Sequence, residues 1–280
     1  MNTFTKISFF FFFFFMGFLC AFPQSLDNQS LYKRAIDGDT EAMHILGYNY
    51  KEENIIDSAT FWLTKAAEKD YVYSQSLLGE ILEEQETPNY EQALFWYLKA
   101  AKQGYNWAQY RVGHFYLHGL GTDADDKKAE VWLEKASKTG SCYGLPQYEY
   151  GKYYAKGIKA KEWLLKSSEE GFSEALTEIG RKYDSGFFEQ NPDSAYYYYY
   201  SAAKKNNANG IFKLSVCYSN GECCKQSYKD ALELYQIAEK LNSTDLLLYK
   251  TLNNSFNMND AVEYDSIKSC FLYKDNASFY

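Results

Sequence analysis

The sequence feature that most constrains the fold is a motif that recurs about every 34 residues from residue 31 onward. It runs Ala, two variable residues, Trp, two variable residues, Lys and a pair of small residues. The anchor position of this motif is occupied in turn by Trp62, Trp96, Trp132, Trp163, Tyr198 and Leu234, at spacings of 34, 36, 31, 35 and 36 residues. Such a period is typical of solenoids, in which each repeat buries its apolar face only by stacking on its neighbours. We expect the repeated indoles, Trp96 and Trp132 among them, to be largely buried between helix pairs.

A second motif alternates with the first. It consists of a small residue, three variable residues, an apolar residue, Gly, two variable residues and an aromatic or apolar residue. Its glycines, called frame glycines below, are Gly47, Gly79, Gly113, Gly151 and Gly180, with Ser215 at this place in the sixth copy. Residues at these offsets share one face of a helix. The sequence therefore predicts helix–loop–helix repeats, and an all-α fold that is an α/α superhelical solenoid of about six to seven such repeats.

The two motifs together resemble the Sel-1-like repeat, a relative of the tetratricopeptide repeat. The third repeat, from Ala108 to Gly140, carries the resemblance best, with Tyr116, Gly119 and Trp132 at the matching positions. The resemblance implies a superhelical scaffold for protein–protein contacts, and hence a protein or peptide partner.

The resemblance also divides the chain. It covers residues 31–241 as the repeat solenoid, in which Leu31–Gly38 is an isolated second helix that acts as an N-terminal cap. Residues 242–280 depart from the motifs, and we interpret them as a degenerate repeat and C-terminal cap.

The first 21 residues are predicted to be a secretory signal peptide. Lys6 precedes an apolar stretch that contains seven consecutive phenylalanines, Phe9–Phe15, and the small residue Ala21 follows. The stretch is shorter than the roughly 20 residues of a membrane-spanning helix, although an uncleaved anchor or a low-complexity run is an alternative. We expect cleavage near Ala21, a linker over residues 22–30, and a mature protein that is exported to the periplasm or secreted.

The charge balance and the motif inventory favour a non-enzymatic binding protein. Lys and Arg total 29 against 37 Asp and Glu, a net charge of −8, which disfavours nucleic acid or an anionic membrane as the main ligand. The sequence contains no Gly-x-Ser-x-Gly elbow for a nucleophile. His114 and His118 have the spacing of two metal ligands on one helix, but no third ligand is identifiable, so we predict no metal site. We likewise predict no catalytic residue, no cofactor and no enzyme activity.

The cysteines suggest one local disulfide and an alternative function. Five cysteines remain after removal of the signal peptide. Cys217 is predicted to pair with Cys223 or Cys224, while Cys142 keeps its thiol. A cysteine-rich branch that resembles this family has been linked to recognition of cell-wall or β-lactam-like ligands, so the alternative is a cysteine-containing repeat hydrolase. The first three repeats contain no Cys up to Gly140, which disfavours this alternative.

The resemblance further implies where a partner binds, because the first helix of each pair lines the concave surface in relatives of this fold. Residues three positions before and one position after each frame glycine should then face the groove. The candidate binding residues are His44, Tyr48, Tyr110, His114, Tyr148, Lys152 and Arg181. Tyr and Arg are enriched where binding energy concentrates at interfaces. A mixed aromatic and charged strip of this kind suits an extended peptide or a helix.

Overall fold

The computed structural model describes residues 26–140, 142–221 and 224–252, and all regular structure in these ranges is helical. The signal peptide predicted for residues 1–21 lies outside the described residues, as does Cys223. The chain divides after Asp126 into two compact units, an N-terminal unit and a C-terminal unit. The prediction of an all-α helical repeat solenoid is confirmed.

The N-terminal unit contains the helices α1 (Leu26–Ile36), α2 (Thr40–Glu52), α3 (Ile56–Glu68), α4 (Val72–Glu84), α5 (Tyr90–Lys102) and α6 (Asn106–His118). The most extensive packing here joins α2 with α3 and α4 with α5, as the repeat motifs predict for the first and second helix of one repeat. The helices α2, α4 and α6 carry frame glycines and are first helices, whereas α3 and α5 carry anchor tryptophans and are second helices.

The C-terminal unit contains α7 (Asp126–Thr139), α8 (Leu145–Glu149), α9 (Ile158–Glu169), α10 (Glu174–Asp184), α11 (Pro192–Lys204), α12 (Ala208–Asn220), α13 (Tyr228–Lys240) and α14 (Thr244–Leu252). The helix α7 begins at the boundary between the units. Packing is most extensive between α10 and α11 and between α12 and α13, which again pair a first helix with the second helix of the same repeat.

Side-chain caps begin several of the helices. The capping oxygens belong to Asp39, Asn89, Asn191 and Asn207, and each accepts a hydrogen bond from the backbone N–H three residues later. Each cap satisfies one of the amide groups that a helix leaves without a partner at its N-terminus. Pro192 lies in the first turn of α11, where the N–H that proline lacks would have no intrahelical partner.

The core position of each repeat is the residue that follows the anchor. Its occupants in five repeats are at most 1% exposed, and they are Leu63, Tyr97, Leu133, Leu164 and Tyr199. The frame glycine makes room for this side chain, because a Cβ on Gly79 would lie 2.7 Å from the Tyr97 ring, and one on Gly180 would collide with Tyr199. The frame glycine of the second motif therefore allows a large side chain of the second helix to approach the backbone of the first helix.

Trp96 and Trp132, which were expected to be largely buried, keep a minor part of their surface in solvent, as does Trp163, whereas Trp62 is 3% exposed. Each of these four indoles lies beneath the ammonium group of the lysine three residues later, at 4.5 to 5.8 Å from the ring centroid. Residues three apart are neighbours on a helix surface, so the Trp–Lys motif forms a cation–π pair there. The residue that follows the tryptophan fills the core.

A recurrent glutamine joins successive repeats. Gln75, Gln109 and Gln147 each stand four residues before a frame glycine. Their side-chain amides donate hydrogen bonds to backbone carbonyls in the last turn of the preceding second helix, those of Ala67, Ala101 and Ser137. A helix leaves these carbonyls without an intrahelical partner. The glutamines therefore satisfy the helix ends and fix the stacking of one repeat on the next.

The fourth repeat differs from the others in its first helix. A 3₁₀ turn (Cys142–Gly144) leads into α8, and a π-helical turn (Tyr150–Tyr154) follows. Cys142 and Tyr143 have positive φ angles of 60° and 56°, a backbone conformation that costs energy for residues with a Cβ. The anchor of this repeat is also only 31 residues from the preceding one, the shortest spacing in the chain. The shortened repeat thus has a local geometry of its own.

The helix bounds at the two ends refine the predicted divisions. The helix α1 begins at Leu26, inside the linker predicted over residues 22–30, and ends two residues before the predicted end of the cap at Gly38. The helix α14 lies in the segment 242–280 that the sequence assigns to a degenerate repeat and cap. None of the helices in the described ranges combines the length and the apolar character that a membrane span requires.

Candidate functional site

The first helices of the N-terminal unit lie side by side and form one face. Glu80 on α4 connects them, because its carboxylate accepts a 2.8 Å hydrogen bond from Trp107 Nε1 on α6 and lies 4.0 Å from Lys51 Nζ on α2. Burial raises the pKa of Glu80, and Lys51 and Trp107 partly oppose this shift by stabilising the carboxylate. We call this surface, with Tyr48, Lys51, Tyr73, Glu80 and Trp107, the N-terminal face.

The candidates three residues before a frame glycine lie between neighbouring first helices in this unit. The His44 Nδ1 atom is 3.0 Å from Ser74 Oγ on the next first helix, and its ring centroid is 5.0 Å from that of Tyr71. Tyr110 is 4% exposed. Such packing leaves Tyr110 little surface to offer a ligand, in contrast to the expectation that this position faces an open groove.

The candidates one residue after a frame glycine are more accessible. Tyr48 is 46% exposed. His114 is half-buried, and its ring centroid lies 4.4 Å from that of His118 and 5.9 Å from that of Tyr110. Of the two predicted positions, the one after the frame glycine is therefore the one that presents side chains to solvent.

The sequence analysis missed the aromatic residues at the N-terminal ends of the first helices. Tyr73 and Trp107 stand six residues before their frame glycines, and Tyr73 is 50% exposed. The Tyr73 ring packs edge-to-face against Tyr105 at 5.4 Å and lies 5.7 Å from Tyr71. A position six before the frame glycine is seven residues from the position one after it, which is two helical turns along the same face. This offset is the signal that could have identified them.

Arg111 and Glu83 pack beneath the Trp107 side chain of the N-terminal face. The Arg111 guanidinium forms an ion pair with Glu83 and lies 5.7 Å from the Trp107 ring centroid. The Tyr97 hydroxyl donates a 2.6 Å hydrogen bond to the other oxygen of Glu83. Burial, together with the charge of Glu83, raises the pKa of Tyr97, so the phenol remains a donor. These contacts tie the indole of the face to the core of the second repeat.

In the C-terminal unit, Tyr148 and Lys152 interact with each other. The Lys152 ammonium donates a 3.2 Å hydrogen bond to the Tyr148 hydroxyl and lies 5.3 Å from the centroid of its ring. The Tyr148 ring also packs on Phe172 at 4.8 Å. Burial raises the pKa of Tyr148 to about 12, with Lys152 opposing the shift. The position three before the frame glycine is again a packing position.

Arg181 is tied to neighbouring side chains on two helices. Its guanidinium lies 3.0 Å from Glu174 and 3.1 Å from Glu178, both on α10, and 2.8 Å from Asp245 on α14. Asn209 on α12 completes the arrangement, because its side chain donates to Glu174 and accepts from the Asp245 backbone N–H. This network, called the C-terminal network below, connects three helices and engages the arginine that the sequence assigned to ligand binding.

The geometry around the cysteines does not test the predicted disulfide. The Cys224 Sγ atom lies 3.8 Å from the carbonyl oxygen of Cys217. Cys223, the other predicted partner, lies outside the described residues. The disulfide from Cys217 to Cys223 or Cys224 stays a prediction, as does ligand binding by the seven candidate residues.

Comparison with known proteins identifies the repeats. The family model described as Sel1 repeat matches six segments, residues 40–71, 72–105, 108–141, 143–172, 173–207 and 208–243. No curated protein matches the chain.

The similar solved structures include two bacterial proteins. One is c5321, a protective antigen of uropathogenic Escherichia coli strains with an SLR fold: it is 26% identical with a TM-score of 0.67, over 80% of this chain and 51% of the antigen. This chain therefore spans about half of that antigen's length. The other is a Sel1 repeat protein from Oxalobacter formigenes: it is 24% identical with a TM-score of 0.66, over 80% of this chain and 92% of that protein.

Proposed function

Because the chain belongs to the Sel1 repeat family, whose members are generally protein-interaction scaffolds, we propose that it is an exported adaptor that binds a protein partner on its N-terminal face. The partner contributes an extended peptide or a helix, which lies across the first helices α2, α4 and α6. Such a segment suits a surface that several adjacent helices form.

The observation that carries the proposal is the exposure of aromatic side chains on helices that are held rigidly. Tyr48 and Tyr73 each leave about half of their surface in solvent. A tyrosine offers large contact area at a low cost in conformational entropy, and it is enriched among residues that dominate binding energy. The contacts of Glu80 with Lys51 and Trp107 hold the neighbouring helices in place before a partner arrives. Preorganisation of this kind favours affinity.

Export is supported by the sequence before α1. The apolar run Phe9–Phe15 with Lys6 before it and Ala21 after it has the order of a signal peptide. Fractionation of cells that express the full chain, with N-terminal sequencing of the product, tests this part. Recovery of an exported protein that begins after Ala21 supports it, and an intact N-terminus in the cytoplasm would contradict it.

A photoreactive amino acid placed at individual positions tests the binding face. At position 48 or 73, it should cross-link the same partner in cells. The matched control is position 95, because Phe95 is 51% exposed but lies on a second helix. Cross-linking of a protein from position 95, without products from 48 and 73, would contradict binding at the N-terminal face.

Family members are typically non-catalytic scaffolds, which agrees with an adaptor role. The hydrolase alternative has a simple assay, since a hydrolase for β-lactam-like ligands would turn over a chromogenic β-lactam. Turnover by the purified protein would support that alternative, and we expect none.

A further inference from the structure

A cleft of about 430 Å³ lies beside the irregular fourth repeat, within the C-terminal unit. Its lining consists of two aromatic and four charged side chains: Tyr150, Trp163, Glu134, Lys159, Glu162 and Lys166. None of them belongs to the N-terminal face. The volume is in the range of small-molecule sites. We call this feature the fourth-repeat cleft.

Four of the lining residues form one stripe along α9. Lys159, Glu162, Trp163 and Lys166 follow one another at intervals of three, one and three residues, which places them on one side of the helix. In the other repeats with an aromatic anchor, the residue just before the anchor is apolar or aromatic and 43 to 51% exposed, namely Phe61, Phe95, Val131 and Tyr197. The fourth repeat has Glu162 at this position. A carboxylate thus replaces an exposed apolar side chain at the cleft.

The aromatic residues provide two walls at right angles. The ring centroids of Tyr150 and Trp163 are 5.7 Å apart, and the ring planes meet at 88°. Tyr150 is the first residue of the π-helical turn, a deviation that occurs frequently at functional sites. Burial, with a smaller contribution from the carboxylates of Glu134 and Glu130, raises the pKa of Tyr150. The phenol therefore stays protonated at neutral pH and can donate a hydrogen bond into the cleft.

The charged residues differ in how far they are already engaged. Glu134 on α7 forms a 2.8 Å ion pair with Lys138, and the Lys166 ammonium lies 5.1 Å from the Trp163 ring centroid. Lys159 and Glu162 are exposed, and neither forms an ion pair with another residue in the described part of the chain. The cleft therefore offers one carboxylate and one ammonium group that a ligand of both charges could engage.

From this arrangement we infer that the fourth-repeat cleft binds a zwitterionic ligand of amino-acid size that carries an apolar side chain. Glu162 receives the ligand's ammonium group, and Lys159 receives its carboxylate. Charge-assisted hydrogen bonds of this kind are stronger than neutral ones. The Tyr150 and Trp163 walls contact the apolar side chain, and their π faces also favour a nearby cation. The inference is independent of the adaptor function, because it uses other residues.

Calorimetric titration with three related probes tests the charge requirement. The probes are free phenylalanine, its N-acetyl derivative, which lacks the ammonium group, and phenylalaninamide, which lacks the carboxylate. The free amino acid should bind, and each blocked form should bind about two- to fivefold more weakly, since each loses one ionic contact at a solvent-exposed side chain. Equal binding of all three probes would overturn the proposal in favour of a merely apolar cleft, and no heat with free phenylalanine would overturn it altogether.

Two reciprocal substitutions test whether the ligand binds at Glu162 in the fourth-repeat cleft. Glu162→Phe gives the fourth repeat the residue type of its neighbours and should abolish binding of free phenylalanine. Phe95→Glu, the converse change in the second repeat, is the matched control and should leave the affinity unchanged. Circular dichroism checks that both variants fold, and Glu162→Gln serves as a milder variant if the first does not. Retained affinity in a folded Glu162 variant would contradict the inference, whatever partner the N-terminal face binds.

Discussion

The first helices of the N-terminal and C-terminal units use one helix position for opposite purposes. One residue after its frame glycine, Tyr48 leaves 46% of its surface in solvent. Arg181 occupies the same position in the C-terminal unit, where its guanidinium contacts Glu174, Glu178 and Asp245. The repeat motif therefore fixes where a side chain is placed. The neighbouring helices decide whether that side chain remains available to a partner or joins an internal network.

The largest loss of stability is expected from substitutions at the core position that the two units share. Tyr97 and Tyr199 fill the same core position, and each donates to a carboxylate in the last turn of its first helix, on Glu83 and Asp184. Tyr97→Ala and Tyr199→Ala should each lower the free energy of unfolding by about 3–5 kcal/mol, because each leaves a large cavity. Urea denaturation measures both, with Tyr48→Ala as a surface control that should change it by less than about 0.5 kcal/mol. A loss below about 1 kcal/mol at either core site would show that the units do not share this packing.

A loss of stability of intermediate size should distinguish the C-terminal unit from the N-terminal unit. Arg181→Met removes the cation between Glu174, Glu178 and Asp245, so three partly buried carboxylates lose this ion pair. We expect a loss of about 2 kcal/mol in the free energy of unfolding, less than for a fully buried pair because the arginine side chain is 25% exposed.

The matched variant in the N-terminal unit is Lys51→Met. Lys51 lies 3.4 Å from Glu84 and 4.0 Å from Glu80, contacts of a partly solvated kind that contribute about 0–1 kcal/mol. Urea denaturation of both variants gives the comparison. Equal losses would mean that the C-terminal network is no more important for stability than the contacts on the N-terminal face.

The smallest effect concerns pH and should arise in the N-terminal unit. Burial lowers the pKa of His44 below its ordinary value of 6.5. The unfolded chain then binds a proton at a higher pH than the folded protein does, so stability falls as the pH drops below about 6.5. His44→Gln should reduce this slope. Unfolding free energies between about pH 7.5 and pH 5 provide the measurement, and an unchanged slope in His44→Gln would contradict the assignment.

The helical repeat architecture could be predicted from the sequence because the two motifs recur with fixed internal spacing. The identity of the residue that fills the core of each repeat could not be predicted. Trp96 and Tyr97 are adjacent, aromatic and equally periodic, so period alone does not decide which one points inward. The decision depends on the close approach of the Gly79 backbone, which only the three-dimensional structure shows.

The candidate site was predictable where a local offset sets exposure and unpredictable where a distant residue does. Tyr48 follows from its position after the frame glycine, and Tyr73 would have followed from the same face two turns earlier. The engagement of Arg181 depends on Asp245, 64 residues later, in a segment where the repeat motifs are degenerate. An ion pair at that separation leaves no pattern in a single sequence.

The most direct test of an adaptor with an N-terminal binding face compares two double variants against the partner that cross-links at position 73. Tyr48→Ser with Tyr73→Ser alters the N-terminal face, and Tyr148→Ala with Arg181→Met alters the first helices of the C-terminal unit. Calorimetry, after circular dichroism has shown that both variants fold, should find that the first loses about 2 kcal/mol or more, roughly thirtyfold in Kd. The second should remain within about threefold of the unmodified protein. The reverse result, with the Tyr148 and Arg181 variant losing binding and the Tyr48 and Tyr73 variant retaining it, would contradict the assignment of the binding face to the N-terminal unit.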